Sequence, residues 1–392
     1  MTTDSLDTLD TPAALIDRSR MLRNIARMQQ RMDALGVRFR PHVKTAKCIE
    51  VARAQREAGA RGITVSTLKE AEQFFATGFT DILYAVGIAP SKLPRALALR
   101  RAGCDLKLLV DHPDAARAIA AFGQAQGERF EVWIEVDTDG HRSGIRPEDD
   151  ALLEIAHLLH DNGMQIGGVM THAGSSYELN AFDALVALAE QERAGCVRAA
   201  QRLRDANLPC AGVSIGSTPT ALCAQHLEGV TEVRAGVYVF FDLVMRNVGV
   251  CETSEIALSV LTTVIGHQSE KGWAIVDAGW MAMSRDRGTA KQAHDYGYGQ
   301  VCALDGTPLD GYVMIGANQE HGIVAPARPV GEGDSASGEP GVATDNIATR
   351  LPIGTKLRIV PNHACATGAQ FPEYHALSDD GAISVWSRFH GW

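Results

Sequence analysis

Short apolar, β-branched runs alternate with helical patterns through the first two-thirds of the chain. The runs are Val37–Lys44, Gly62–Thr67, Asp81–Val86, Asp105–Val110, Phe130–Asp137, Gln165–Thr171, Ala211–Gly216 and Thr231–Phe240. Between them, residues 46–59, 68–77, 92–102, 113–126, 148–162, 181–206 and 219–226 carry helical periodicity. Strands and helices alternating in this way predict a (β/α)8 barrel. A doubly wound open sheet also alternates, but it usually stops at about five or six strands and carries a Gly-rich turn after the first. Here the first strand ends in Pro41-His42-Val43-Lys44 with no glycine, so the barrel is the reading.

After Gly249 the texture changes. Glu255–His267, Gly272–Ala278, Gly311–Ile315, Lys356–Pro361 and Ala382–Arg388 read as strands joined by turns, a mostly β domain. Ala13–Asp17 is a strand left over before the first barrel helix and is expected to join that sheet. The expected organisation is a barrel over residues 18–249 and a β domain over 250–392 that includes residues 1–17. Pro326–Asn346, rich in Gly, Pro, Ser and Asp, reads as a long surface loop.

With 392 residues, 45% apolar and 21% charged, the chain has ordinary globular composition. Its net charge of −10 argues against nucleic acid or an anionic membrane as partner, since both want a basic face. No apolar stretch approaches the length of a membrane span. Met1–Asp10 is polar and acidic, without a signal region. The 8 cysteines are scattered with no CxxC pair, as reduced thiols in a cytoplasmic protein would be.

In a (β/α)8 barrel the reactive groups stand at the carboxyl ends of the strands. Lys44 closes the first run, where burial and nearby positive charge can make an amine a nucleophile toward an aldehyde. The plain alternative is a surface lysine beside Lys47. Arg142 follows strand five and either hydrogen-bonds a cofactor's phenolate oxygen or pairs with Asp139 on the surface. His42, His172 and Tyr177 stand at strand ends, as ring partners of a cofactor or as satisfied buried polar groups. After strand seven, Gly216 permits close backbone approach, Ser217 and Thr218 offer hydroxyls, and Pro219 fits the first turn of a helix. That combination suits a phosphate, although an ordinary helix N-cap by Ser217 or Thr218 explains it equally. Gly236 and Tyr238 join the candidates from strand eight. A lysine facing a phosphate cup suggests a phosphorylated aldehyde held covalently, and pyridoxal phosphate fits that description.

In the β domain, Pro361-Asn362-His363-Ala364-Cys365 follows a strand-like run. On an extended segment His363 and Cys365 project to one side. An imidazole and a thiolate make a first pair of ligands for zinc or another borderline divalent metal, with water and substrate completing an open shell.

Arg40-Pro41-His42-Val43-Lys44-Thr45, Asp139-Gly140-His141-Arg142-Ser143-Gly144 and the His363–Cys365 motif together resemble the fold-type III pyridoxal-phosphate enzymes. More narrowly, they look like the group holding D-serine dehydratase and D-threonine aldolase. The resemblance covers nearly the whole chain and extends through Ser66–Phe75, Thr171–Tyr177 and Val237–Asp242. It implies an alanine-racemase-like barrel with a β domain, Lys44 as the Schiff-base lysine, and a homodimer. It also implies a divalent metal on His363 and Cys365 (manganese, cobalt, nickel or zinc) and a β-hydroxy-D-amino acid as substrate. Many relatives carry a histidine where this chain has Ala46, so that histidine's role does not transfer. Dehydratases of the group tend to pair His with Cys at the metal and the aldolases His with Asp. Cys365 therefore points to dehydration by a carbon–oxygen lyase. The alternatives are retro-aldol cleavage to glycine, dehydration of D-serine or D-phenylserine, and a non-catalytic pyridoxal-phosphate carrier.

Overall fold

Parallel strands buried on both faces read as continuous apolar runs, and the runs of the first two-thirds form such strands in the computed structural model. It describes residues 6–327 and 347–392; of the Pro326–Asn346 stretch, residues 328–346 lie outside the described residues, as do Met1–Ser5. After a first strand, β1 (Ala13–Asp17), the barrel strands follow in order. They are β2 (Arg38–Pro41), β3 (Ile63–Val65), β4 (Asp81–Gly87), β5 (Asp105–Val110), β6 (Glu131–Glu135), β7 (Gln165–Met170), β8 (Gly212–Ile215) and β9 (Glu232–Ala235). They form one parallel sheet in the order β2-β9-β8-β7-β6-β5-β4-β3. Between β2 and β3 the sheet is joined by the His42–Thr64 bridge and by Val43 N–H to Thr64 O at 3.0 Å. The barrel unit comprises Arg23–Tyr238 together with Phe389–Trp392.

The barrel interior is filled, not hollow. Trp133 packs with Leu83, Leu109 and Met170. A side chain at Gly212 would overlap the Trp133 ring, so the glycine is what admits the indole. Beneath this layer lies a charged one. Arg40 Nε donates to Glu232 Oε2 at 2.7 Å, and Arg40 Nη1 to Asp81 Oδ1 at 2.8 Å. Lys107 Nζ reaches the same Asp81 oxygen at 2.7 Å. The other Glu232 oxygen accepts from Ser214 Oγ at 2.9 Å, which in turn accepts from Arg234 Nε at 2.8 Å.

One expected strand is shorter than its apolar run. Thr231–Phe240 is extended only over β9, and Val237–Val239 forms a 3-10 turn. Ladder pairing with β2 ends at Pro41 and Ala235, after which Tyr238 N–H donates to Thr218 Oγ1 at 3.2 Å instead of to a neighbouring strand.

The second unit comprises residues up to Leu22 and Val239–Arg388. Its strands are β10 (Leu258–Gln268), β11 (Trp273–Val276), β12 (Gly299–Cys302), β13 (Pro308–Ala317), β14 (Gly322–Pro326), β15 (Lys356–Pro361), β16 (Glu373–Leu377) and β17 (Ile383–Ser387). With β1 they form one mostly antiparallel sheet, and a further β10–β11 pairing curls part of it back on itself. β1 lies between β10 and β16, antiparallel to the first and parallel to the second. Leu15 and Leu261 are fully buried there with Ala13. β12, β14 and β16 are additions to the strands expected from the sequence.

The charged layer gives the first testable outcome. Glu232→Ala removes one partner of a buried pair and leaves Arg40 with Asp81 alone. The expected loss is about 3–5 kcal/mol of unfolding free energy. A denaturant midpoint equal to wild type would show that the layer contributes nothing to closure.

Candidate active site

Lys44 stands in the tight turn that follows β2, with Lys47 N–H returning to Val43 O at 2.8 Å. The turn ends at Lys47 in a left-handed conformation, φ 46°, unusual for a residue with a side chain. Three contacts hold it there. The Lys47 ammonium pairs with the buried Glu70 carboxylate at 3.0 Å. Phe389 N–H donates to Lys47 O at 2.7 Å, and the Phe389 ring packs edge-on against Phe74 with centroids 5.0 Å apart. The backbone that carries Lys44 is thus pinned from the helix Leu68–Phe75 and from Phe389–Trp392.

His42 and His172 flank the mouth as neutral imidazoles. Burial, then the Lys44 ammonium, then Arg234 hold His42 well below the ordinary histidine range. Burial and Lys44 push His172 down to about 3. The His172 ring shares a hydrogen bond with Gly216 O through Nδ1 at 2.9 Å, so as a donor it tethers the cup after β8. Tyr177 lies next to it, ring centroids 6.1 Å apart.

The turn after β8 is built by its own hydrogen bonds. Ser217 caps the helix Thr218–Cys223 in a reciprocal capping box with Thr220, and its hydroxyl also bonds Ser176 Oγ at 2.8 Å. Thr218 Oγ1 accepts from the Tyr238 backbone. Both hydroxyls are therefore used within the protein, and the helix N-cap reading describes Ser217. Gly216 keeps its place because a Cβ there would overlap Arg234 O. At Gly236 a Cβ would press on His42 O and Thr45 Oγ1, both 3.1 Å away. Glu192, fully buried, was not among the candidates read from sequence. Its Oε1 accepts from Ala173 N–H and Gly216 N–H, each at 3.0 Å, and ties together the loops after β7 and β8.

The remaining barrel candidates divide. Arg142 is half exposed and faces Glu135 Oε1 at 3.6 Å, not Asp139. Burial raises the Glu135 carboxyl, an effect that Arg142 opposes. Tyr238 is a wall residue: its ring packs edge-on against Phe39, and its hydroxyl accepts from Gln55 at 2.8 Å. The barrel mouth gathers Lys44, His42, His172, Tyr177, Gly216 and Gly236; a lysine beside neutral imidazoles and two bare glycines fits an aldehyde cofactor with an anionic tail.

In the sheet unit, the extended His-x-Cys segment expected from sequence is corrected. His363 is the N-cap of a short helix, Ala364–Gly368, and Cys365 lies in its first turn. Asp242 causes the change, its Oδ2 accepting from Ala364 N–H at 2.9 Å. Asn362 fixes the approach, donating to Gly297 O at 2.7 Å and accepting from Thr289 Oγ1 at 3.0 Å. The His363 imidazole still meets Cys365 by a side-chain hydrogen bond. Burial alone would lower His363, but Cys365, Asp286 and Asp242 outweigh it and push the imidazole up to about 11. Among the described residues no group of three His, Cys, Asp or Glu is arranged to enclose a metal. An imidazole and a thiol fit an open shell that water and substrate complete.

Residues 16–244 match the model of the alanine racemase N-terminal domain, and residues 257–377 that of a serine dehydratase domain. The chain therefore belongs to the alanine racemase N-terminal domain family, in the form joined to a serine dehydratase domain. It is 69% identical over 390 residues to a D-threo-3-hydroxyaspartate dehydratase of Delftia sp. (strain HT23), covering 99% of this chain and 100% of that one. It is 30% identical to a D-serine dehydratase of Dictyostelium discoideum, over 97% of this chain and 96% of the other. The solved structure of a cysteine-to-alanine variant of D-threo-3-hydroxyaspartate dehydratase, in the metal-free form, matches with a TM-score of 0.95 at 69% identity. That match covers 99% of this chain and 100% of the other.

The two neutral histidines set a pH dependence. Both bind protons more weakly folded than unfolded, so the unfolded chain takes up protons below the ordinary value of 6.5 that the folded chain refuses. Their contribution to stability is present above that value and is lost as pH falls through it toward 3. The slope reaches about 1.4 kcal/mol per pH unit per histidine. Unfolding of cofactor-free wild type and His172→Gln, compared over this range, should show a shallower decline in the variant. Parallel curves would mean that His172 is protonated in the folded protein.

Proposed function

We propose that this protein is a pyridoxal-phosphate- and divalent-metal-dependent ammonia-lyase that dehydrates D-threo-3-hydroxyaspartate to oxaloacetate and ammonia. The observation that carries the reading is the identity of 69% along the whole chain to a D-threo-3-hydroxyaspartate dehydratase. Lys44 at the barrel mouth and the His363–Cys365 pair in the sheet unit supply the chemistry such a reaction needs.

Lys44 would hold the cofactor covalently, with Gly216, Gly236 and the Ser217–Thr218 backbone around its phosphate and His42, Arg142, His172 and Tyr177 around its ring. His363 and Cys365 would hold the metal. Bound in these places, the cofactor supplies an electron sink for the substrate α-carbon and the metal supplies Lewis acidity for the β-hydroxyl. The Lys44 amine removes the α-proton. His42 and His172, neutral beside Lys44 and Arg234, add no further positive charge to the mouth. Loss of the α-proton and the hydroxyl as water, followed by hydrolysis of the enamine, gives oxo acid and ammonia. Atoms balance: one water leaves and one returns. A cytoplasmic homodimer belongs to the same reading, and light scattering of the purified protein checks the dimer.

Incubation with D-threo-3-hydroxyaspartate should release ammonia and oxaloacetate in equal amounts. Glycine and glyoxylate in their place would establish the retro-aldol reaction. Lys44→Ala should remove both turnover and the visible absorbance of bound cofactor. A borohydride-reducible cofactor adduct on another lysine would sink that assignment.

Chelation should stop ammonia release while the cofactor absorbance survives, because the metal acts on the leaving group. Manganese, cobalt, nickel or zinc should restore it at differing rates, since ligand softness and geometry differ. Cys365→Ala should mimic the chelator. Full activity in verified metal-free protein would refute the metal's role.

A further inference from the structure

We infer that Asp286 is a positioning residue for the metal, holding the His363 ring by Nδ1 so that the other nitrogen is presented to the ion. The inference rests on His363 and Cys365 being the ligands, as proposed above.

The carboxylate and the ring are closely matched. Asp286 Oδ2 lies 2.5 Å from His363 Nδ1. The Gly288 backbone N–H also bonds the carboxylate. With its oxygens engaged in this way, and no three-donor group among the described residues, Asp286 reads as a partner of the ligand and not as a ligand. A carboxylate accepting from one ring nitrogen fixes the tautomer, directs the remaining lone pair and raises its basicity.

The backbone before Asp286 is shaped for the task. Ser284 has φ 68° and ψ 169°, a region populated almost only by glycine. Its hydroxyl accepts from Asp286 N–H at 3.2 Å, turning the chain so that the carboxylate faces His363. Two more bonds join this turn to the ligand segment. Thr367 Oγ1 donates to Met283 O at 2.9 Å, and Asn362 Nδ2 to Asp286 O at 3.4 Å.

The test is Mn2+ affinity, measured by calorimetry on chelated, cofactor-loaded wild type, Asp286→Ala, the near-isosteric Asp286→Asn and, as a control, His363→Ala. Both Asp286 variants should bind Mn2+ about 10–100-fold more weakly. Melting temperature of the metal-free protein and cofactor absorbance should stay at wild-type values. Unchanged Mn2+ affinity in Asp286→Asn and Asp286→Ala, with His363→Ala impaired, would overturn the inference. So would weakened binding accompanied by a lowered melting temperature and lost absorbance in both variants, which would make Asp286 a structural residue. Wild-type Mn2+ binding by His363→Ala would instead remove the ligand assignment beneath it.

Discussion

The barrel depends on one buried carboxylate. Glu232 is 1% exposed and joins β9 to both neighbours, taking Arg40 of β2 on one oxygen and Ser214 of β8 on the other. These strands meet where the last of the barrel returns to the first. Such a charge is costly unless its partners are complete, and here each oxygen has one. The same serine takes the Arg234 guanidinium, whose charge helps hold His42 neutral. Closure of the sheet and the electrostatics of the mouth are therefore one network. A disturbance at the seam reaches the groups around Lys44 without touching them.

Much of this was legible in the sequence because burial leaves a mark on composition. β5 appears as Asp105–Val110 in both readings, since a strand covered on both faces has to be apolar throughout. The same rule misleads after β9. Val237, Tyr238, Val239, Phe240 and Phe241 are all buried, but apolarity reports burial and not backbone conformation. β12, β14 and β16 are short, and their pairing is decided by distant partners. β12, for instance, takes its register from β15 more than 50 residues on. Ser217 shows another limit: a cap and an anion site use the same residues, and only the position of Thr220 and Ser176 tells which the hydroxyl serves.

Lys44, His363 and Cys365 stood out because each sits in an unusual local motif. Asp286 did not. In Ser284-Arg285-Asp286-Arg287 it looks like a charge on a solvated turn, and its partner is 77 residues away. Glu192 was hidden similarly, a glutamate in a long helix whose acceptor role depends on two loop amides. Residues that act through others carry little signal of their own.

Phe389–Trp392 belong to the barrel unit although the whole sheet unit precedes them in the chain, and β1 belongs to the sheet unit although the whole barrel follows it. Chains leave the ribosome from the amino end, and domains tend to fold as they emerge. All eight barrel strands are thus synthesised while the contact that fastens Lys47, and with it the turn bearing Lys44, is still to be made. Phe389, made after them, completes that turn. Nascent barrels therefore exist without their finished lysine turn, and the order of synthesis places the docking of Phe389 after the sheet unit has been made.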